Sequence, residues 1–205
     1  MHHRSILALV PAALLAAATS LAAQEMTAPA MAAPLDQSKT RGFMIGAHAN
    51  AAAIAPSEGS AERGFGGGLR AGYGITDHVT VFGEADGASI NYKDEEGSYT
   101  MIHVGAGVRG STATPAAKAR PYFEAALVAV SLADDVEGHD VTFTGGSVQF
   151  GLGVEYFVSR TAALDVGMEV GPGKFTSASV DGESAPFEDL NFTSVRLNVG
   201  FTFHP

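Results

Sequence analysis

Eight times between Phe43 and Phe203 the chain sets apolar side chains at every second position, and no other feature of the sequence restricts its fold as strongly. The segments span residues 43–51, 65–75, 79–86, 101–109, 122–129, 148–156, 164–171 and 194–203. In the first, Phe43, Ile45, Ala47, Ala49 and Ala51 alternate with Met44, Gly46, His48 and Asn50. In the last, Val195, Leu197, Val199, Phe201 and Phe203 alternate with Ser194, Arg196, Asn198, Gly200 and Thr202. Successive side chains of a strand point to opposite faces, so each segment has one apolar and one polar face. Segments of about ten residues are long for a soluble sheet and match tilted membrane-spanning strands.

The connections alternate as well. Only Thr76-Asp77-His78 separates segments two and three, and a turn around Ser159-Arg160-Thr161 separates six and seven. Residues 111–119 make a third connection of intermediate length. Longer stretches rich in turn formers and acid fill 55–63, 90–98, 133–143 and 174–190. Short turns at one end, long loops at the other and an even strand number are the asymmetry of a membrane barrel. A soluble, lipocalin-like barrel with an apolar cavity shares the alternation, but three features separate the two. The polar face is mostly Gly with isolated charges, as in Gly66/Gly68/Arg70/Gly72/Gly74, which suits a crowded lumen better than a water-facing sheet. Trp is absent, and with it the Gly-x-Trp signature of lipocalins. The aromatics also fall into two expected belts. Phe43, Tyr73, Tyr122/Phe123, Tyr156/Phe157, Phe201 and Phe203 lie near the short turns, and Phe65, Tyr92, Tyr99, Phe143, Phe175 and Phe192 near the long loops. The sequence therefore predicts an all-β fold, an eight-stranded antiparallel up-and-down transmembrane β-barrel.

Ahead of the barrel, His2, His3 and Arg4 precede an apolar run from Ile6 to Ala18, and small residues follow at Ser20 and Ala22. That is the order of a secretory signal peptide, predicted over 1–23, and the run is too short to span a bilayer as a helix. Residues 24–40, rich in Ala, Pro and Met, are expected to be a flexible periplasmic linker, leaving 41–205 as the barrel domain. With no Cys there is no disulfide framework, thiolate metal site or thiol nucleophile. A net charge of −10 argues against nucleic acid as a partner.

The repeated Gly-x-Gly strands, the turn Gly72-Tyr73-Gly74-Ile75-Thr76-Asp77-His78 leading into Val79–Glu84, and the terminal Phe201-Thr202-Phe203 resemble the small eight-stranded outer-membrane barrels of the OmpA/OmpX-like group. The resemblance covers residues 41–203. It implies a protein of the Gram-negative cell outer membrane, inserted by the barrel-assembly machinery and surrounded by outer-membrane lipid and lipopolysaccharide. That machinery reads a terminal aromatic residue in this group, whereas here His204 and Pro205 follow Phe203.

The polar faces supply the candidate site. They carry three arginines (Arg70, Arg109, Arg196), six acids (Glu84, Asp86, Glu124, Glu155, Asp165, Glu169) and two histidines (His48, His103). Charges held away from water must pair or bind water, so the expectation is a salt-bridge network plugging the lumen, with the arginines at its centre. A narrow cation-preferring channel is the alternative for the same residues. The long loops hold thirteen of the 22 acids. Within them Asp134, Asp135, Glu137 and Asp140 form a weak candidate for a divalent metal, without the EF-hand pattern. A lipid A-modifying enzyme is a second alternative, but the deacylase signature His-x-Ser occurs at none of the mature histidines. No catalytic residue and no cofactor are expected. The predicted role is non-enzymatic, serving envelope integrity or surface interaction through acidic loops, with an extracellular surface ligand as the partner still to be found.

Overall fold

The computed structural model describes residues 40–205 apart from 58, 94, 95 and 115, so the predicted signal peptide and all but the last residue of the linker lie outside the described residues. Among the described residues nine strands form: β1 (Gly42–Pro56), β2 (Glu62–Gly74), β3 (Val79–Asn91), β4 (Ser98–Ser111), β5 (Ala119–Val136), β6 (His139–Phe157), β7 (Ala162–Val180), β8 (Glu183–Ala185) and β9 (Leu190–Phe203). Each long strand pairs antiparallel with its sequence neighbour, and β9 closes the sheet by pairing with both β1 and β7. The three-residue β8 only extends the edge of β7 at the loop end. Stepping from partner to partner once round the sheet, through Gly46, Arg70, Glu84, Gly105, Val128, Ser147, Gly173 and Phe192, returns to β1 at Pro56, ten residues further on. A closed sheet with such a stagger has strands tilted by roughly 40°, and eight strands leave an interior just wide enough for side chains to fill.

The alternation sorts as the sequence predicts. Phe43, Ile45, Phe65, Leu69, Val104, Leu127, Phe150, Leu152, Val199 and Phe201 face outward and are exposed, Phe65 by 77%. The polar set is turned inward and is largely buried. An apolar exterior around a charged interior is the reverse of a lipocalin-like binder, so the soluble reading is corrected. The chain is a closed transmembrane-type barrel with eight strands around its wall.

Two expectations about the loop end are also corrected. The stretches 133–143 and 174–190 are mostly strand rather than loop. β5 and β6 meet in a two-residue turn, Glu137-Gly138, with φ of 55° and 83°. β7 runs on to Val180 and turns through Asp181-Gly182, with φ of 52° and 82°, into β8. Consecutive positive φ values are the twist-matched hairpin geometry for which Asp-Gly is a strong signal. The Thr and Val residues flanking both turns favour extended backbone, which carries the ladder past the acids.

The second aromatic belt does not form on the outside. At the short-turn end Phe43, Tyr73, Phe123, Tyr156, Phe201 and Phe203 do ring the exterior, with Phe43 edge-on to Tyr73 at 5.2 Å. At the loop end only Phe65 points outward. Tyr99, Phe175 and Phe192 are buried in the barrel, and Tyr92 and Phe143 pack against them. Tyr122 and Phe157, grouped with the turn-end belt, also face inward. Parity explains each case: Phe175 continues the inward row of Gly171 and Gly173, and Tyr122 belongs to the row of Glu124.

A closed ladder has no open edge for detergent to attack, so the folded barrel should survive SDS without heating. Outer-membrane fractions run boiled and unboiled on the same gel are expected to show two mobilities for this protein. A single mobility would contradict the closed sheet.

Candidate functional site

The strand register places charges side by side before any side chain chooses a rotamer. Arg70 stands opposite Glu84, Arg109 opposite Glu124, Arg196 opposite Glu169, and His103 opposite Asp86. Neighbouring strands thus deliver opposite charges as cross-strand pairs, and the curvature of the barrel brings the pairs together at its axis.

Arg70 donates from Nε to Glu84 at 3.0 Å and from its terminal nitrogens to Glu124 and Glu169 at 3.2 Å. Arg196 donates to Glu84 at 2.9 Å and to Asp86, Glu169 and the side-chain oxygen of Gln149. Arg109 donates to Glu124 at 3.0 Å and to Asp165 at 2.7 Å, and lies 3.3 Å from Glu155. Each arginine therefore serves three carboxylates, and Glu84, Glu124 and Glu169 each bridge two arginines. Arg196 is 1% exposed. Charges this far from water need several charge-assisted hydrogen bonds to offset their lost hydration.

His103, fully buried, sets Nδ1 3.4 Å from Asp86, while its Nε2 has no partner. His48 is half-buried on the same interior face, and its Nε2 likewise has none. The structure thus gathers all eleven residues of the predicted set inside the barrel. Nine of them form the ion-pair and hydrogen-bond network centred on the three arginines, His103 is joined to it through Asp86, and His48 stands beside it.

Five inward side chains that complete the site were not in the predicted set. Asn198 donates to Glu169 at 2.7 Å, and Gln149 accepts from Arg196. Tyr122 donates to Asp165 at 2.7 Å and lies under the Arg109 guanidinium, whose carbon is 3.6 Å from the ring centre. There is room for it because Gly153 and Gly167 flank it, and a Cβ at Gly167 would come within 2.5 Å of the Tyr122 oxygen. Arg120 forms the floor. It donates to Thr40 at 3.1 Å and to the carbonyl of Asp77, and its guanidinium lies 6.0 Å from the ring of Phe157. His204 completes that floor, 3.4 Å from Glu155 and 5.4 Å from Phe157. Parity could have found Arg120, two residues before Tyr122, but Pro121 breaks the visible pattern.

Towards the loops the interior changes character. Ile54, Ile90, Met101, Val130, Phe175 and Phe192 form a buried apolar cluster, with Phe175 and Phe192 stacked at 4.4 Å. The interior is therefore ionic around its three arginines, with Met44, Phe82 and Phe157 also buried towards the turns, and apolar towards the loops.

The weak metal candidate does not assemble. Asp134 accepts from the hydroxyl of Tyr92, and Asp135 caps the amide of Gly138 at 3.0 Å. Glu137 occupies the turn, and the amide of Asp140 donates to Asp181. Among the described residues no group of three or more His, Asp or Glu side chains converges as a metal site.

The sequence model of the family described as Outer membrane protein beta-barrel domain matches residues 12–203. No curated protein matches in sequence. Among solved structures, Neisserial surface protein A is similar with a TM-score of 0.64 and 23% identity, covering 80% of this chain and 97% of that one. Ail, the attachment invasion locus protein of Yersinia pestis, has a TM-score of 0.50 and 14% identity over 80% of this chain and 100% of that one. OprG from Pseudomonas aeruginosa has a TM-score of 0.50 and 12% identity over 82% of this chain and 99% of that one.

Removing Arg196 takes one partner from Glu84 and Glu169 and the only arginine from Asp86. Arg196→Ala is expected to destabilise the folded barrel by about 3–5 kcal/mol, the usual cost of breaking a buried charge pair. Replacing His139, exposed and 2.8 Å from Asp181, should change stability by less than about 1 kcal/mol. Urea titration in lipid vesicles, read by the gel-mobility shift, measures both; equal effects would show that the interior network is not the stabilising one.

Proposed function

Since the chain belongs to the Outer membrane protein beta-barrel domain family, we propose that it is a non-enzymatic outer-membrane barrel with a closed lumen. Its role is envelope integrity or surface interaction through the acidic loop end. The observation that carries this reading is the dense filling of the interior, in which a cavity of about 20 Å³ beside His48, Arg70, Tyr122 and Asp165 is little larger than one water. A floor of Arg120, Phe157 and His204 is followed by the arginine–carboxylate layer and then by a roof of Ile54, Ile90, Met101, Phe175 and Phe192. In this reading the short turns face the periplasm. The tips of the β5–β6 and β7–β8 hairpins, bearing Glu137, Asp140, Asp181 and Glu183, face the exterior. Neisserial surface protein A and the Yersinia attachment invasion locus protein bear names of surface proteins, which supports a role outside the cell. Outer-membrane lipid and lipopolysaccharide surround the wall, and the barrel-assembly machinery recognises the outward Phe203 during insertion. The extracellular ligand is a partner presented to the hairpin tips.

One observation favours a second reading. Six interior acids face four arginines, Arg70, Arg109, Arg120 and Arg196, and this imbalance would select cations if the lumen conducted. Purified protein in planar bilayers separates the two. The closed-lumen reading expects no reproducible conductance steps, whereas unitary steps selective for cations and altered by Arg70→Ala would establish the channel. The surface role is checked separately: shortening the β5–β6 hairpin by removing residues 134, 135, 140 and 141, which keeps the Glu137-Gly138 turn in register, should change whole-cell binding while leaving the heat-dependent gel shift intact.

A further inference from the structure

Over β5, β6 and β7 the outer wall carries a depression. There Ala129 stands beside Gly146, and Gly146 beside Lys174, with Leu127 opposite Val148 in the row below and Pro172 on β7. The outward row is thus small where its neighbours are large, and a shallow open groove of about 650 Å³ results. The ladder between β6 and β7 shifts register at Thr144/Gly145, where Thr176 is the extra residue of a bulge in β7 beside this place. Leu127, 71% exposed, and Val148 form the apolar wall.

Depth fixes what meets the groove. Leu164 pairs with Tyr156 of the turn-end aromatic ring, and Lys174 lies ten residues further along β7. At about 3.3 Å per residue and a tilt of roughly 40°, that is about 25 Å along the barrel axis, the height of the apolar band. The next outward row is already polar, with Thr144 hydrogen-bonded to Ser177 at 2.6 Å. The groove therefore lies at the acyl level and the Lys174 amine at the headgroup level of the leaflet on the loop side. Lys174 is held 2.5 Å from Asp189 in an exposed pair, a contact weak enough to exchange for another anion. The acidic hairpin tips stand beyond this row, where salt screens their field.

We propose that this groove is a lipid site. It seats one acyl chain of a phosphate-bearing lipid of the outer leaflet against Ala129, Gly146 and Pro172, with the phosphate on the amine of Lys174. The proposal gives the lipid contact of the preceding section a place, and it rests on the loop end facing outward. A Cβ at Gly146 would meet only the Val128 carbonyl, at 3.7 Å, so a side chain can be added there without disturbing the sheet.

The test uses full-length protein folded in detergent and native mass spectrometry with two probes, lipid A and dephosphorylated lipid A. The wild type should retain one lipid A, about tenfold more tightly than the dephosphorylated form, the worth of one charge-assisted contact. Lys174→Gln should abolish that preference, and Gly146→Leu should reduce retention of both probes. Ala129→Leu, which fills the floor from the neighbouring strand, repeats the groove test if Gly146→Leu loses the heat-dependent gel shift. Equal retention of the two probes by the wild type, or unchanged retention in the groove-filling variants, overturns the site. Failure to retain either probe by a wild type that still shows the gel shift and a silent bilayer overturns the site while leaving the closed-barrel reading standing.

Discussion

Closing eight strands into a cylinder leaves an interior just wide enough for side chains to fill, and the rest of the structure follows from how this chain occupies it. Each inward residue faces others across a space too narrow for bulk water. A charge placed there must be matched by another charge from a different strand, and a large ring must be matched by the absence of a neighbour. Register does the first. Arg70, Arg109 and Arg196 each face an acid on an adjacent strand, so the correct pairing of strands and of charges are one event. A slip of one residue would turn the arginines into the lipid and the leucines into the lumen, which makes the network a strong determinant of register. Glycine does the second: Tyr122 lies over Gly153 and Gly167, and the ring of Phe192 occupies the space a side chain at Gly173 would need.

The sharing of partners makes the three arginines and the carboxylates unequal. Each arginine holds three acids, whereas no acid touches more than two arginines. Losing an acid leaves one or two guanidiniums with other partners and lowers the excess of negative charge. Losing an arginine takes a cation from three buried carboxylates at once and raises the excess of negative charge. The arginines are thus the fixed points of the interior, and the acids, together with Gln149 and Asn198, are the adjustable filling around them.

Most of the architecture is legible in the sequence because period two survives in every segment. The inward charges from Arg70 to Arg196 could be assigned to one side without knowing any contact. What was not legible is where each strand stops. Ending segment seven at Gly171 and segment five at Ala129 leaves Phe175, Val130 and the hairpin strands unassigned. The aromatics beyond those limits were then placed by their position along the axis rather than by parity. The Asp181-Gly182 turn was a readable signal, whereas Pro121 concealed Arg120. Which acid meets which arginine depends on register and curvature, and one strand read alone contains neither.

The apolar cluster at the loop end of the interior bears on how the loop end can act. Tyr99, Phe175 and Phe192, with Phe143, Phe187 and Leu190 packed beside them, come from the parts of β4, β6, β7 and β9 nearest the loops and from the connection after β8. The apolar roof therefore ties the outermost residues of four strands to one another, where a water-filled mouth would leave them independent. Above it the β5–β6 and β7–β8 hairpins continue as hydrogen-bonded ladder and end in two-residue turns. The two tips are joined by the bond from the Asp140 amide to Asp181 and by the contact of His139 with Asp181. Their acidic side chains are consequently displayed on strands already ordered. A partner binding there would not have to order a long loop first, which removes one of the main entropic costs of surface recognition.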